Sequence, residues 1–220
     1  MIDFRLVEQY LPQFYVAIGV TLGISAVAIL GSLAPGFFFA LMSQSHRRAV
    51  RWLGETFIAL GRNIPSIMQL FIVFYVLPLA FNITIPAFWA AALAFAFNGS
   101  GYVAAIVQTG LGGVPRGQWE AAKTLGIKGL RLYLKVIGPQ ALSLVVGPFM
   151  NELSRQMKSS SIGAAVAVPE IIYTSVRLSS ETFDPLTIFT TAALLYIVII
   201  LPFGLLSRAG QRRSFRTRLA

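Results

Sequence analysis

Cysteine is absent from all 220 residues, which excludes disulfides, thiolate metal sites and cysteine nucleophiles. Histidine occurs once, at His46 beside Arg47 in a basic segment, and no spaced set of ligands accompanies it, so no metal site is expected. Acidic side chains number only eight. Ser, His and Asp do not recur in any arrangement that reads as a hydrolase. No Gly-x-x-x-x-Gly-Lys-Ser/Thr run is present to cradle nucleotide phosphates. Charge of either sign is thin, at 12% of residues.

Apolar side chains fill that space. The chain is 56% hydrophobic with a mean hydropathy of +0.72, outside the range of soluble domains, and this points to the lipid bilayer as solvent. A net charge of +10 could signal nucleic acid, but the cations fall between long uncharged runs rather than along one polar face, so membrane topology explains them and no nucleic-acid partner is expected. Residues 1–13 carry Asp3, Arg5 and Glu8 and lead into an apolar stretch far longer than a signal peptide's core; no cleaved leader is expected.

About 20 apolar residues are needed to cross the hydrocarbon core. Three uncharged runs of that size are plain: Phe14 to Met42, Pro86 to Val107 and Leu186 to Leu206. Two shorter ones, Ser66 to Ala80 and Val136 to Asn151, span if their ends extend into protein-lined surroundings. The expected fold is therefore an all-α integral membrane protein, one domain over 1–220, with five transmembrane helices at about 14–42, 64–80, 86–107, 136–157 and 185–207. Ile162 to Val176 is short and holds Pro169 and Glu170, so it reads as a buried or re-entrant helix within an outer loop at about 158–184.

Cations orient the chain, because loops left in the cytoplasm are enriched in Lys and Arg. Thirteen of the 18 lie in three segments that five crossings place on one side: Arg47, Arg48 and Arg51; Arg116, Lys123, Lys128, Arg131 and Lys135; and Arg208, Arg212, Arg213, Arg216 and Arg218 in a tail at 208–220. The amino terminus is expected outside and the carboxyl terminus inside. No second copy of the pattern occurs within the chain, so a partner subunit, identical or similar, must complete any pseudosymmetric path.

The third loop, at about 112–135, holds Gly117, Gln118, Trp119, Glu120, Ala121, Ala122, Lys123, Thr124, Leu125 and Gly126. Good helix formers closed by a glycine after two turns predict a short capped helix at the cytoplasmic surface. Such a helix either docks into a groove on a soluble partner or lies in the lipid interface.

Glu120, Ala121, Ala122, three residues, Gly126, nine residues, then Val136, Ile137, Gly138 and Pro139 resemble the EAA loop of ABC importer permeases. Val114 to Trp119 is similar to the lead-in of that family's polar amino acid branch. Arg62, Asn63, Ile64 and Pro65 with Gln69 and Leu70, Asn151 with Glu152, and Lys158 with Ser159, Ser160 and Ser161 resemble further segments of the branch in the family's order. Gly138 stands where relatives usually carry Leu, which is expected to loosen the start of the fourth span. Ala105 and Gln108 stand where many relatives carry Glu and Arg.

The resemblance implies a permease subunit without enzymatic activity in the bacterial cytoplasmic (inner) membrane. It takes a polar amino acid from a soluble binding protein and passes it inward by alternating access, together with a second permease subunit. Glu120, Ala121, Ala122 and Gly126 become the coupling contacts for a separate ATPase subunit, which holds the ATP and Mg; no cofactor is expected on this chain. Asn98, Asn151, Glu152, Arg155, Lys158 and Ser160 are the candidates for the solute path, because polar groups at membrane depth face a cavity or a partner. For Glu152 and Arg155, three apart, mutual pairing and solute contact both stay open; for Lys158, carboxylate attraction and snorkelling do; Asn98 and Ser100 suit helix-to-helix bonding better. The segment Lys158 to Phe183 is loosely similar to glutamate and aspartate permeases, and glutamine fits nearly as well. A stand-alone carrier or channel, or a scaffold holding anionic lipid on the basic loops, is the alternative.

Overall fold

A computed structural model describes the backbone of residues 2–219 and the side chains of residues 2–207; the tail cations from Arg208 onward lie outside the described side chains. All regular structure among the described residues is helical. In chain order the α-helices are α1 (Phe4–Ser43), α2 (Arg48–Asn63), α3 (Ser66–Phe71), α4 (Leu77–Phe81), α5 (Ala87–Gly112), α6 (Arg116–Thr124), α7 (Leu130–Leu132), α8 (Gly138–Ser159), α9 (Ile171–Thr182) and α10 (Pro185–Leu219). A 3₁₀ segment, Ser160–Val166, follows α8. Among the described residues, four helical stretches are long and apolar enough to cross a membrane: Phe4–Ser43, Ala87–Gly112, Leu130–Val166 and Pro185–Ser207. Counting Arg48–Asn63 and Ser66–Phe81, which meet at a 101° bend, as one broken span gives a fifth.

Wide π turns, Ile72–Val76 and Tyr133–Ile137, precede Pro78 and Pro139. A proline inside a helix clashes with the carbonyl four residues back and cannot donate to it. The i to i−5 bonds from Leu77 to Ile72 and from Gly138 to Tyr133 widen the turn just before each ring. A side chain at residue 138 cannot coexist with this turn, because a Cβ there would lie 2.4 Å from the Tyr133 carbonyl oxygen. The glycine thus permits a defined wide turn at the foot of α8.

The core joins elements far apart in sequence. Ile24 and Ala28 of α1, Leu70 of α3, Ala91 and Phe95 of α5 and Val168 pack in one cluster. Phe14 and Ala17 pack with Ile171 and Leu178 of α9 and Ile188 of α10 in a second. Polar caps fix the ends of these helices. Asp3 accepts from the N–H groups of Arg5 and Leu6, and its own N–H donates to Thr187 Oγ1 at 3.0 Å, tying the start of α1 to that of α10. Hydrogen bonds from Thr187 likewise hold the Asp184 carboxyl below its ordinary pKa at the start of α10.

Candidate functional site

The site grows from the break between α2 and α3. Pro65 disfavours a helical conformation at Ile64, and Ile64 and Pro65 are extended. The carbonyls freed there are answered from within the protein. Gln69 Nε2 donates to Gly61 O at 3.0 Å and to Ile64 O at 2.9 Å, and Asn98 Nδ2 donates to Gly61 O at 2.9 Å. Gly61 crosses Gly101, midway along α5, so the break lies deep in the bundle, where only protein-lined backbone of this kind survives. Asn98 is thereby committed to the backbone of α2.

Beside the break, α8 presents an ion pair. Glu152 is buried and accepts from Arg155 Nε at 2.7 Å and Nη2 at 2.6 Å, a two-pronged pairing within one helix face. The Arg155 guanidinium lies 3.9 Å from the Tyr102 ring centroid, and that of Arg62 lies 5.5 Å from the same ring. Arg62 is exposed and has no carboxylate within 4.0 Å among the described residues.

A groove between α8 and α10 extends this cluster. Asn151, Ser154, Arg155 and Lys158 line one side, and Leu201 and Gly204 lie across from them, around about 450 Å³. Lys158 also borders a second hollow with Ser161, Ile172, Tyr196 and Ile197. Asn151 Oδ1 accepts from Ser207 at 2.7 Å. Asn151, Arg155 and Lys158 therefore share one stripe at helical spacing. Ser160 is turned away from it: buried, it donates to Met157 O at 2.7 Å.

The segment with the EAA resemblance lies at the other end of α8. Ala122 of α6 is buried with Val114, Leu132, Ile137 and Ala141, and the Trp119 ring meets Tyr133 edge-on at 5.8 Å. Glu120, Ala121, Lys123 and Leu125 are exposed. Gly126, at φ +73°, ends the helix in the left-handed conformation, with its N–H donating to Lys123 O. The exposed face of α6 is thus carried on a base made of Leu132 of α7, Ile137 of the wide turn and Ala141 at the start of α8.

Several contributors have no signal in sequence. Tyr102 reads as one more aromatic in an apolar run, and only its position beside two arginines in space gives it a role. Gln108 donates to Ser43 Oγ at 2.6 Å, joining α5 to the end of α1. Glu170, fully buried, caps α9 by accepting from Ile172 N, Tyr173 N and Tyr196 Oη at 3.0, 2.8 and 2.9 Å. The adjoining Ile171 N–H donates to Thr21 Oγ1.

Comparison with known proteins gives consistent matches over nearly the whole chain. A family model described as "Binding-protein-dependent transport system inner membrane component" matches residues 32–216. The L-cystine transport system permease protein TcyB of Bacillus subtilis (strain 168) is 30% identical, over 98% of this chain and 92% of its own. The arginine transport system permease protein ArtQ of the same organism is 27% identical, over 96% and 97%. A crystal structure of an amino acid ABC transporter with histidines superposes at a TM-score of 0.89 with 29% identity, covering 97% of this chain and 99% of that one. The MetNI methionine ABC transporter in an inward-facing conformation shares the fold at a TM-score of 0.79 and 18% identity, over 95% and 98%.

Proposed function

This chain belongs to the inner membrane components of binding-protein-dependent transport systems, and from that premise we propose that it is the permease subunit of an ATP-driven importer for a polar amino acid. The observation that carries the reading is the likeness, at 29% identity and nearly full coverage of both chains, to an amino acid ABC transporter of known structure. Relatives named for cystine, arginine and glutamine agree on amino acids and differ on which one.

In this reading the broken pair is the second of five spans, the amino terminus is outside, and the 112–135 loop meets an ATPase subunit in the cytoplasm. Glu120, Ala121, Ala122 and Gly126 form the coupling contacts. A second permease subunit completes the path, and a soluble binding protein delivers the solute to the outer loop. ATP and Mg stay on the ATPase. What supports a mechanical role for α8 is its continuity: α6 rests on its foot, while Arg155 and Lys158 stand on its outward half. A displacement of α6 by the ATPase is transmitted along one helix to the polar stripe, as rigid-body alternating access requires. Asn151, Glu152, Arg155 and Lys158 then face the path, whereas Asn98 and Ser160 shape its walls.

The test is uptake of radiolabelled amino acids into vesicles that contain the complex isolated through a tag on this chain, with its binding protein outside. Uptake driven by internal ATP and abolished without the ATPase subunit is expected. Uptake that persists without ATP would instead identify a stand-alone carrier.

A further inference from the structure

We propose that Lys158 and Arg155 form an anion seat in the groove between α8 and α10, so that the path favours amino acids with more carboxylates than ammonium groups. The inference rests on the importer reading above and adds the charge class of the solute.

Lys158 stands at membrane depth. Lys158 faces Ile200 and Leu201, and in the adjoining hollow Tyr196 and Ile197. These residues lie inside the apolar run from Leu186 to Leu206, with Tyr196 at its midpoint and Leu201 nearer its carboxyl end. An ammonium at such a level is costly unless an anion or water-filled cavity answers it, and Lys158 has no carboxylate within 4.0 Å among the described residues.

The nearby carboxylates are already engaged. Glu152 is engaged on both oxygens by Arg155. Glu170, behind Tyr196, is engaged by two backbone N–H groups and the tyrosine hydroxyl. Among the described residues these two carboxylates stand against Arg62, Arg155 and Lys158, and of the three cations only Arg155 has a carboxylate within 4.0 Å. Arg155 Nη1 has no partner among the described residues, so a donor remains beside Lys158 on the same helix face. A solute carboxylate satisfies both groups. A cationic solute adds like charge where dielectric screening is weak, the arrangement by which sites reject the wrong ligand.

The same chemistry would accept a lipid phosphate. Depth argues for the solute, because headgroups lie at the ends of the apolar run of α10 while the hollow beside Lys158 reaches its midpoint at Tyr196. Asn151 and Ser154 also give the groove a polar wall that suits a zwitterion.

Binding of radiolabelled L-glutamate, L-glutamine and L-arginine to the complex in nanodiscs, without the binding protein, separates these cases. Glutamate is expected to bind tightest and arginine weakest. Lys158→Gln should weaken glutamate about tenfold, the loss of one charge contact where dielectric screening is weak. Lys158→Glu should reverse the order of glutamate and arginine, and Lys158→Arg, which keeps the charge, should preserve it and report on folding. Arginine binding as tightly as glutamate to the unmodified complex overturns the proposal, as does an unchanged glutamate affinity in Lys158→Gln. So does glutamate binding that appears in phosphatidylcholine discs and is displaced by phosphatidylglycerol, which assigns the seat to lipid. Each of these failures leaves ATP-driven uptake untouched, whereas loss of ATP dependence in the vesicle assay refutes the importer reading itself.

Discussion

The guanidinium of Arg155 lies 3.9 Å from the centroid of the Tyr102 ring, and this contact joins α8 to α5 beside the break in the second helical pair. Glu152 holds the edge of the same guanidinium, so its orientation is set from two sides. A cation over an aromatic face contributes about 0.5–2 kcal/mol depending on solvation. Tyr102→Phe should therefore leave uptake close to normal. Tyr102→Leu should raise the KM of uptake by roughly fivefold, the equivalent of about 1 kcal/mol, with little change in the amount of complex in the membrane. Equal behaviour of the two variants would remove the ring from the site.

Glu120→Lys reverses charge on the exposed face of α6 without touching its packing base, which is Ala122 and Trp119. Expected is normal assembly in the membrane with loss of solute-stimulated ATP hydrolysis and of uptake. Gly126→Asp acts through the backbone, since φ is +73° there and a non-glycine residue in that region costs about 1–3 kcal/mol. Uptake and ATPase stimulation measured together decide the matter; both retained would sink the docking role.

Gly138→Ala addresses the wide turn. The added Cβ would lie 2.4 Å from the Tyr133 carbonyl, against backbone that cannot simply swing aside. Either the turn tightens to α-helical geometry, rotating α6 relative to the upper part of α8, or the variant loses about 1–3 kcal/mol, as overpacked sites do. Thermal denaturation of the complex and cysteine crosslinking between α6 and the ATPase distinguish these outcomes. A variant unchanged in both would show that the turn has no mechanical part.

Much of the architecture was legible because membrane helices are written in long uncharged runs. Phe14 to Met42 and Leu186 to Leu206 each fall within one continuous helix, and Pro86 to Val107 does so from Ala87 onward, with Pro86 as its N-cap. The break at Pro65 was harder to place: proline and the short apolar run after it are visible in sequence, but the 101° bend depends on Gln69 and Asn98 answering carbonyls that no local pattern reveals. Gly138 shows the limit in another way. A glycine suggests looseness by composition, whereas here it makes room for a carbonyl. In the site, the pairing of Glu152 with Arg155 follows from spacing, but the part of Tyr102 and the distance of Ser160 from the groove follow only from how α5, α8 and α10 pack.

Glu170 provides the last test, of stability rather than transport. Its carboxylate is fully buried, yet three donors from α9 and α10 converge on it, and Thr21 of α1 bonds the adjacent Ile171 N–H. Burial of an anion is tolerated only when hydrogen bonds replace its lost hydration. Removing the acceptor leaves two N–H groups and a hydroxyl unanswered, at about 1–3 kcal/mol each for groups that stay buried. Glu170→Ala should therefore lower the thermal midpoint most. Glu170→Gln keeps an acceptor oxygen but loses the charge and should lie between Ala and the unmodified chain. Tyr196→Phe deletes one donor and should cost least, about 1–2 kcal/mol. Melting of the purified complex in detergent, followed by tryptophan fluorescence, checks this order. A Glu170→Ala variant that melts with the unmodified complex would mean that α9 is held by its apolar contacts with Phe14 and Ile188 alone.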